Sequence, residues 1–373
     1  MKTASERRKN TLFVESLDDA GRRASWGQAF LTTVQLNGAS VDALRIGGIG
    51  TAPEHRRQGL VRECLKQIFD FAGETGCLMS VLHPFSSSYY RKFGFERVSD
   101  HRILEFPMKA LDFVPFFRDM IPCEDIALRK DLSFIHNEFI KTRNISSPRP
   151  DHYSYPMDHK EKKTYIWYDD QKRPAAYIIY GVENFFSVNH MESVNLNVYE
   201  MCYLNPEGLM RLLGFIRMFE GELETVKIHN CAMAPEVELM LRHYMHTRIT
   251  LVSDVMARVH DVGGVLAAVK YPALPGRFTV RVREPEKTSH NPEKTDGVWQ
   301  VEYEAGQAQV TRLGAQADCD IACDVPAFTQ LVAGFQSFGA ETARYMHNVE
   351  LNNSCEDFFR AFPNRPCGVF EHF

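Results

Sequence analysis

The stretch Leu44–Arg62, LRIGGIGTAPEHRRQGLVR, restricts the fold of this chain more than any other. It begins apolar and dotted with glycine, as a strand does where it ends by parting from its neighbour. It turns at Pro53 and enters a helical pattern in which Val61, Cys64, Leu65, Ile68, Phe69 and Ala72 recur three and four residues apart, one face of an amphipathic helix. Arg56-Arg57-Gln58-Gly59 lies between strand and helix. A glycine there lets the backbone approach a ligand closely. The unpaired N–H groups of the helix's first turn carry a partial positive charge, and the arginines add whole ones. Together they form a seat for a diphosphate. The spacing is neither GxGxxG nor GxxxxGK[ST].

Downstream, Leu78-Met-Ser-Val-Leu-His-Pro-Phe85 is an apolar run of strand length, followed by Ser86-Ser-Ser-Tyr-Tyr-Arg-Lys-Phe-Gly-Phe95. The first turn resembles the R/Q-x-x-G-x-[G/A] motif of GNAT acyltransferases, which hold the pyrophosphate of acetyl-CoA. Arg56 and Gly59 fit it, with Val61 in the small position. Tyr90, Phe93, Gly94 and Phe95 fill the Tyr-x-x-Phe-Gly-Phe that follows in that family. More narrowly, GGIGTAPEHRRQG…LHPFSSSYYRKFGFE resembles the Eis (enhanced intracellular survival) acetyltransferases.

That resemblance implies an α+β protein: tandem GNAT-type domains, the first N-terminally shortened, followed by a sterol-carrier-like α+β domain. The boundaries it suggests are 1–108, 109–257 and 258–373. It implies acetyl-CoA as co-substrate, with no metal, and places CoA contacts on Ile49, Gly50 and Thr51, on Arg57, Gln58, Gly59, Leu60, Val61 and Arg62, and on Phe85 and Ser86. It makes Tyr90 the general acid and the terminal carboxylate of Phe373 the base, with Glu371 and His372 as competitors. The acceptor would be a primary amine, either an aminoglycoside-like polyamine or a lysine of a peptide, attacking directly in a ternary complex. A homo-oligomer, a hexamer, is also implied. A catalytically idle CoA-binding or regulatory module is the alternative.

Magnitudes limit these roles. A phenol near pKa 10 is a weaker acid than a thiol near 8.5, so full proton transfer to the leaving thiolate is uphill by about 2 kcal/mol. A carboxylate near 3.5 faces a gap of about 9 kcal/mol against a free ammonium. It serves instead to accept a proton from the cationic tetrahedral adduct.

The rest of the chain is read in order. Residues 1–28 are polar and weakly patterned, a flexible lead-in or a poorly formed helix. Phe30–Leu36 and Val41–Ile46 flank Asn37-Gly38, a hairpin. Too little chain precedes Phe30 for the strand and two helices that a GNAT domain places there. Residues 101–108 read as the strand closing the first domain. Leu132–Thr142 is helical, 165–168 and 175–180 are strands, Val194–Tyr199 alternates, Pro206 opens a helix, and Val226–His229 is a strand. This repeats the first domain's order, but Tyr203-Leu-Asn-Pro-Glu-Gly208 has no Arg-x-x-Gly, so the second copy lacks a diphosphate seat. Beyond 256, Phe278–Arg283 and Trp299–Glu304 alternate as half-buried strands do.

At 373 residues two or three domains are expected. A net charge of −5 gives no reason to expect nucleic-acid binding. The N-terminus lacks the apolar core of a signal peptide, and no apolar run is long enough for a bilayer. Nine scattered cysteines without CxxC pairs read as reduced thiols of a cytoplasmic protein.

Overall fold

The computed structural model describes residues 2–157, 161–186, 191–241, 245–253, 255–284, 290–335 and 339–371. The chain forms two compact units: Met1–Ser99 with Asn144–Ser147 and Ser253–Phe373, and Asp100–Arg143 with Pro148–Val252.

The first unit holds a seven-stranded sheet, ordered β1 (Lys2–Arg8), β2 (Thr11–Leu17), β3 (Arg23–Leu36), β4 (Ala39–Thr51), β5 (Met79–Leu82), a strand from far down the chain (β14, Met256–Val259) and β6 (Glu96–Arg97). The expectation of a flexible or helical lead-in over residues 1–28 is corrected: this segment is a hairpin plus the first part of β3. Its alternation was hidden because outward positions are also apolar. Leu12 and Val14 point into the core while Phe13, between them, points out. β1 runs into β2 through the short turn at Lys9–Asn10, with no helix between them. The hairpin at Asn37–Gly38 is as expected, both residues having positive φ (45° and 79°).

Helix α1 (Leu60–Thr75) covers one face of this sheet. Its buried stripe, Cys64, Leu65, Ile68, Phe69, Phe71 and Ala72, packs on Leu12, Val14, Ala29, Leu44 and Ile46. Gly76 ends it in the left-handed conformation (φ 71°), donating to the carbonyls of Ala72 and Gly73. The other face, at the hairpin end of β3 and β4, packs Val34, Leu36, Val41 and Ala43 against residues of the C-terminal region, including Val265, Leu266, Phe328 and Phe358.

That region carries a five-stranded sheet ordered β17 (Gln307–Leu313), β16 (Gly297–Glu304), β15 (Gly276–Arg283), β18 (Ile321–Asp324) and β19 (Val349–Leu351), antiparallel except for β15 with β18. Its core is continuous with that of the first sheet, so residues 258–373 do not stand apart as a separate body.

In the second unit the sheet is ordered β13 (Arg248–Ser253), β7 (Asp100–Pro107), β12 (Thr225–Ile228), β11 (Met191–Tyr203), β10 (Pro174–Phe186), β9 (Lys163–Tyr168) and β8 (Ile121–Pro122). Helices α3 (Arg129–Ile140) and α4 (Pro206–Arg217) belong to it. The expected closing strand of the first domain is therefore corrected. It exists, as β7, but pairs with β12 of the second sheet, and the place beside β5 is taken by β14. The chain passes between the two compact units at 99/100, 143/144, 147/148 and 252/253.

Candidate active site

The site is built where two parallel strands part. β4 and β5 pair from Ala43↔Met79 to Ile46↔Leu82. There β5 ends, while β4 continues to Thr51, so Gly47–Thr51 keep β3 on one edge and have no strand on the other. A bulge falls in this segment: Trp26 pairs with Gly50 and Gln28 with Gly47, so Gly48 and Ile49 face Gly27 alone. Gly48 takes φ +60°, which the bulge requires. The Ser25 hydroxyl donates to the Gly50 carbonyl (2.9 Å) and lies 3.1 Å from the Thr51 hydroxyl, fixing the strand end. The backbone of Ile49, Gly50 and Thr51 is thus held beside the gap, able to offer hydrogen bonds to an extended amide chain and to a thioester carbonyl.

Beyond Thr51 the chain makes one tight turn at Pro53–His55, passes through Arg57 (φ +62°) and Gly59 (φ +80°), and enters α1. No side chain caps α1. A Cβ added at Gly59 would meet no atom within 4 Å. Arg56, Arg57, Gln58 and Arg62 are exposed around it, and Leu60 and Val61 are half-buried. The helix start is therefore open and uncapped, with exposed arginines in the turn before it and in its first turn, features that suit phosphate binding.

A short helix, α2 (Ser87–Arg91), follows β5. Phe85 is 71% exposed at its entrance, and Ser86 is the N-cap position. Tyr90 is buried, its ring 5.4 Å from Phe85 and 6.1 Å from Phe95. Burial, with the neighbouring Tyr89 adding to it, pushes its hydroxyl up to about 12. The phenol therefore keeps its proton at neutral pH. Against a thiol near 8.5, giving it up entirely would cost about 5 kcal/mol, so its fitting task is to donate a hydrogen bond to sulfur. Tyr89, expected to point elsewhere, instead packs on the same cluster, its ring 5.1 Å from Phe85, 5.5 Å from Tyr90 and 5.5 Å from Phe93, whose ring the Arg62 guanidinium covers at 5.8 Å. Through these contacts α2 sits against the opening turn of α1.

The C-terminal segment also reaches this place. Gly368 donates to the Asn144 carbonyl (3.2 Å) and accepts from the Ser146 hydroxyl (2.6 Å). His83 Nε2, just past the end of β5, lies 3.1 Å from the Glu371 carbonyl. A carbonyl only accepts, so Nε2 carries the proton. His372 and Phe373 lie outside the described residues. Reading the sequence alone misses His83 and Trp26. The sole hint of Trp26's role is the glycine opposite it, since a Cβ at Gly50 would fall 2.5 Å from the Trp26 ring.

The second unit repeats the plan without the opening. β11 and β12 run parallel from Asn195↔Thr225 to Val198↔Ile228, β11 bulges at Tyr199, and α4 follows. Here Asn205 Oδ1 accepts from the Gly208 N–H at 2.8 Å and Pro206 occupies the first turn, so the helix start is closed on itself. His136, Glu200 and Cys202 cluster in this unit. Glu200 is engaged by both nitrogens of Arg149 (2.6 and 2.9 Å) and by Tyr177, and burial holds the Cys202 thiol far above its usual range. A carboxylate already neutralised by Arg149 beside a protonated thiol is a poor donor set for a metal. All nine cysteines are free and buried. No helix among the described residues is long and apolar enough to cross a membrane.

Residues 4–98 match an acetyltransferase (GNAT) domain, and residues 147–259 match a second model of the same description. Solved structures share the fold across nearly the whole chain. A probable N-acyltransferase of Enterococcus faecalis, described as a conserved protein of unknown function, is 17% identical, covers 98% of this chain and 90% of its own, and has a TM-score of 0.77. A GCN5-related N-acetyltransferase from Anabaena variabilis is 16% identical with the same coverage and TM-score. Eis1 from Mycobacterium abscessus is 13% identical, covers 98% and 92%, and has a TM-score of 0.75. Among curated proteins none matches by sequence. Two GNAT matches spanning more than half of the chain, on a fold with parted parallel strands, place it in a class: it belongs to the GNAT family of acyltransferases. Within that class it is a tandem-domain protein, its first domain carrying the open helix start.

Proposed function

We propose that the protein transfers acetyl from acetyl-CoA to a primary amine by direct attack in a ternary complex, in the manner of Eis-like enzymes. The observation that carries this reading is the uncapped turn at Gly59 beside the parting of β4 and β5. Arg57, Gln58, Gly59, Leu60, Val61 and Arg62 hold the diphosphate. Ile49, Gly50 and Thr51 line the pantetheine and polarise the carbonyl, and Phe85 and Ser86 border the other side. The neutral amine attacks the carbonyl carbon, the adduct gives up a proton, and the C–S bond breaks as Tyr90 donates to the departing sulfur. The base is the carboxylate of Phe373, two residues beyond the Glu371 carbonyl that lies beside His83. Residues 258–373, sterol-carrier-like by resemblance, serve to deliver that tail, and the active form is a homo-oligomer.

The test is thiol release from acetyl-CoA with a panel of amines, for this chain and for a version with one Gly added after Phe373. Turnover by the first and its loss in the second, with acetyl-CoA affinity unchanged, is the expected result. Full activity of the extended version removes the carboxylate from the mechanism. Acetyl-CoA binding without turnover of any amine would make the chain a binding module instead.

A further inference from the structure

A cavity of about 500 Å³ lies in the first unit on the sheet face opposite α1. Its lining comes from four adjacent strands, and the pairing registers arrange it in two rows. Ala4, Glu15 and Trp26 lie side by side across the sheet, and beside them Glu6, Phe13 and Gln28, with the bulged Gly48 of β4 at the rim; Trp26 and Gln28 pair in turn with Gly50 and Gly47. One end of the cavity is therefore the bulge of β4, where the proposed thioester site begins. The Trp26 ring stands against Gly50, closely enough that any side chain there would collide with it. The other end holds two carboxylates and two guanidinium groups. Arg23 Nε donates to Glu15 at 2.9 Å, and Arg8 donates to Glu6 at 2.8 and 3.2 Å. Phe13, under the Arg8 guanidinium at 5.2 Å, completes an aromatic floor with Trp26.

We infer that this groove receives the acceptor, and that the acceptor is an amphoteric amine, one carrying a carboxylate as well as the amine that reacts. The inference rests on the acetyl-transfer reading for the position of the reacting end. Charge decides the class. A polycation would be matched by an excess of carboxylates, whereas this groove offers as many guanidinium groups as carboxylates. Both pairs are largely exposed, so solvent screens them and each opens at little cost. A ligand carboxylate takes Arg23 in a bidentate fork while a ligand ammonium takes Glu15. Length fits as well. Glu15 lies two strands from Gly50, about 10 Å across the sheet. An apolar spacer of a few methylenes over Trp26 joins the two ends, as in an α,ω-diamino acid such as lysine.

Calorimetry with the full chain, in the presence of CoA, separates the possibilities, using lysine, cadaverine (lysine without its carboxylate), lysinamide and spermidine. Lysine should bind at least tenfold more tightly than cadaverine or lysinamide. Arg23→Gln should erase that preference while leaving CoA affinity unchanged, and Arg23→Lys should restore part of it. Trp26→Phe, which keeps an aromatic ring, should weaken all four ligands less than fivefold and confirm that the fold is intact. Equal or tighter binding of spermidine, or a lysine preference that survives Arg23→Gln, overturns the inference. Acetylation is scored separately: if lysine binds as described and is never acetylated, the groove stands and the acetyl-transfer reading falls.

Discussion

The two GNAT halves use one strand-turn-helix plan and end it differently. Both run a bulged strand into a helix beside a parallel partner. At α1 the turn is a left-handed glycine without a cap, facing open space. At α4 it is an asparagine bonded to the helix's own N–H, followed by proline, and a Cβ at Gly208 would press on the Ala175 carbonyl at 3.2 Å. A helix start must satisfy its N–H groups somehow. The second half does so from within; in the proposed reading the first leaves that task to a ligand. The difference between the two helix starts is thus concentrated in one capping residue and the turn around it.

Gly59→Glu is the most direct way to break the contrast. It puts a carboxylate where the diphosphate sits, and acetyl-CoA affinity should fall about 1,000-fold or more by calorimetry. The stoichiometry of the unaltered chain should be one acetyl-CoA, and two would mean that α4 binds as well. Tyr90→Phe should lower kcat about 100-fold while acetyl-CoA affinity stays constant. The same tyrosine fixes a sign in the pH profile. kcat/KM should rise with pH toward the amine's own pKa near 10.4, because only the neutral amine attacks. It should not fall below that point, because Tyr90 holds its proton up to about 12. A descending limb under pH 10 would remove Tyr90 from the role. Stability should decline as pH rises from about 10 toward 12. The unfolded chain's tyrosines ionise near 10, whereas burial keeps Tyr90 and Tyr155 protonated up to about 12 in the fold. Far-UV circular dichroism across that range measures it. The smallest effect belongs to Asn205→Ala, which should cost about 1 kcal/mol in denaturant unfolding and leave acetyl-CoA affinity untouched.

Much of this was legible in the sequence because short-range physics wrote it there. The stripe of α1, the Asn37–Gly38 turn, the absence of Arg-x-x-Gly before Pro206 and the Tyr90 helix all depend on neighbours a few residues apart. Strand partners do not. Nothing in Asp100–Pro107 announces that it belongs beside β12, nor does Met256–Val259 point to β5, since any apolar strand satisfies either slot locally. Residues 1–28 misled for another reason. The outward side of that hairpin carries Phe13 and Trp26, so the usual alternation of apolar with polar is blurred, and these are the residues that floor the groove. Trp26 and His83 sit at positions whose meaning comes from the bulge and from the tail, both set at long range.

The placement of β14 has a temporal side. β5 pairs with β4 on one edge, and its second edge is covered only when Met256–Val259 arrives. At ribosomal rates of about 5–20 residues per second, that strand emerges about 10–35 s after β5. During this interval the growing chain carries a first GNAT domain with an open sheet edge, the state most prone to pairing with the wrong strand. The first sheet of the nascent chain therefore remains incomplete until Met256–Val259 has been made.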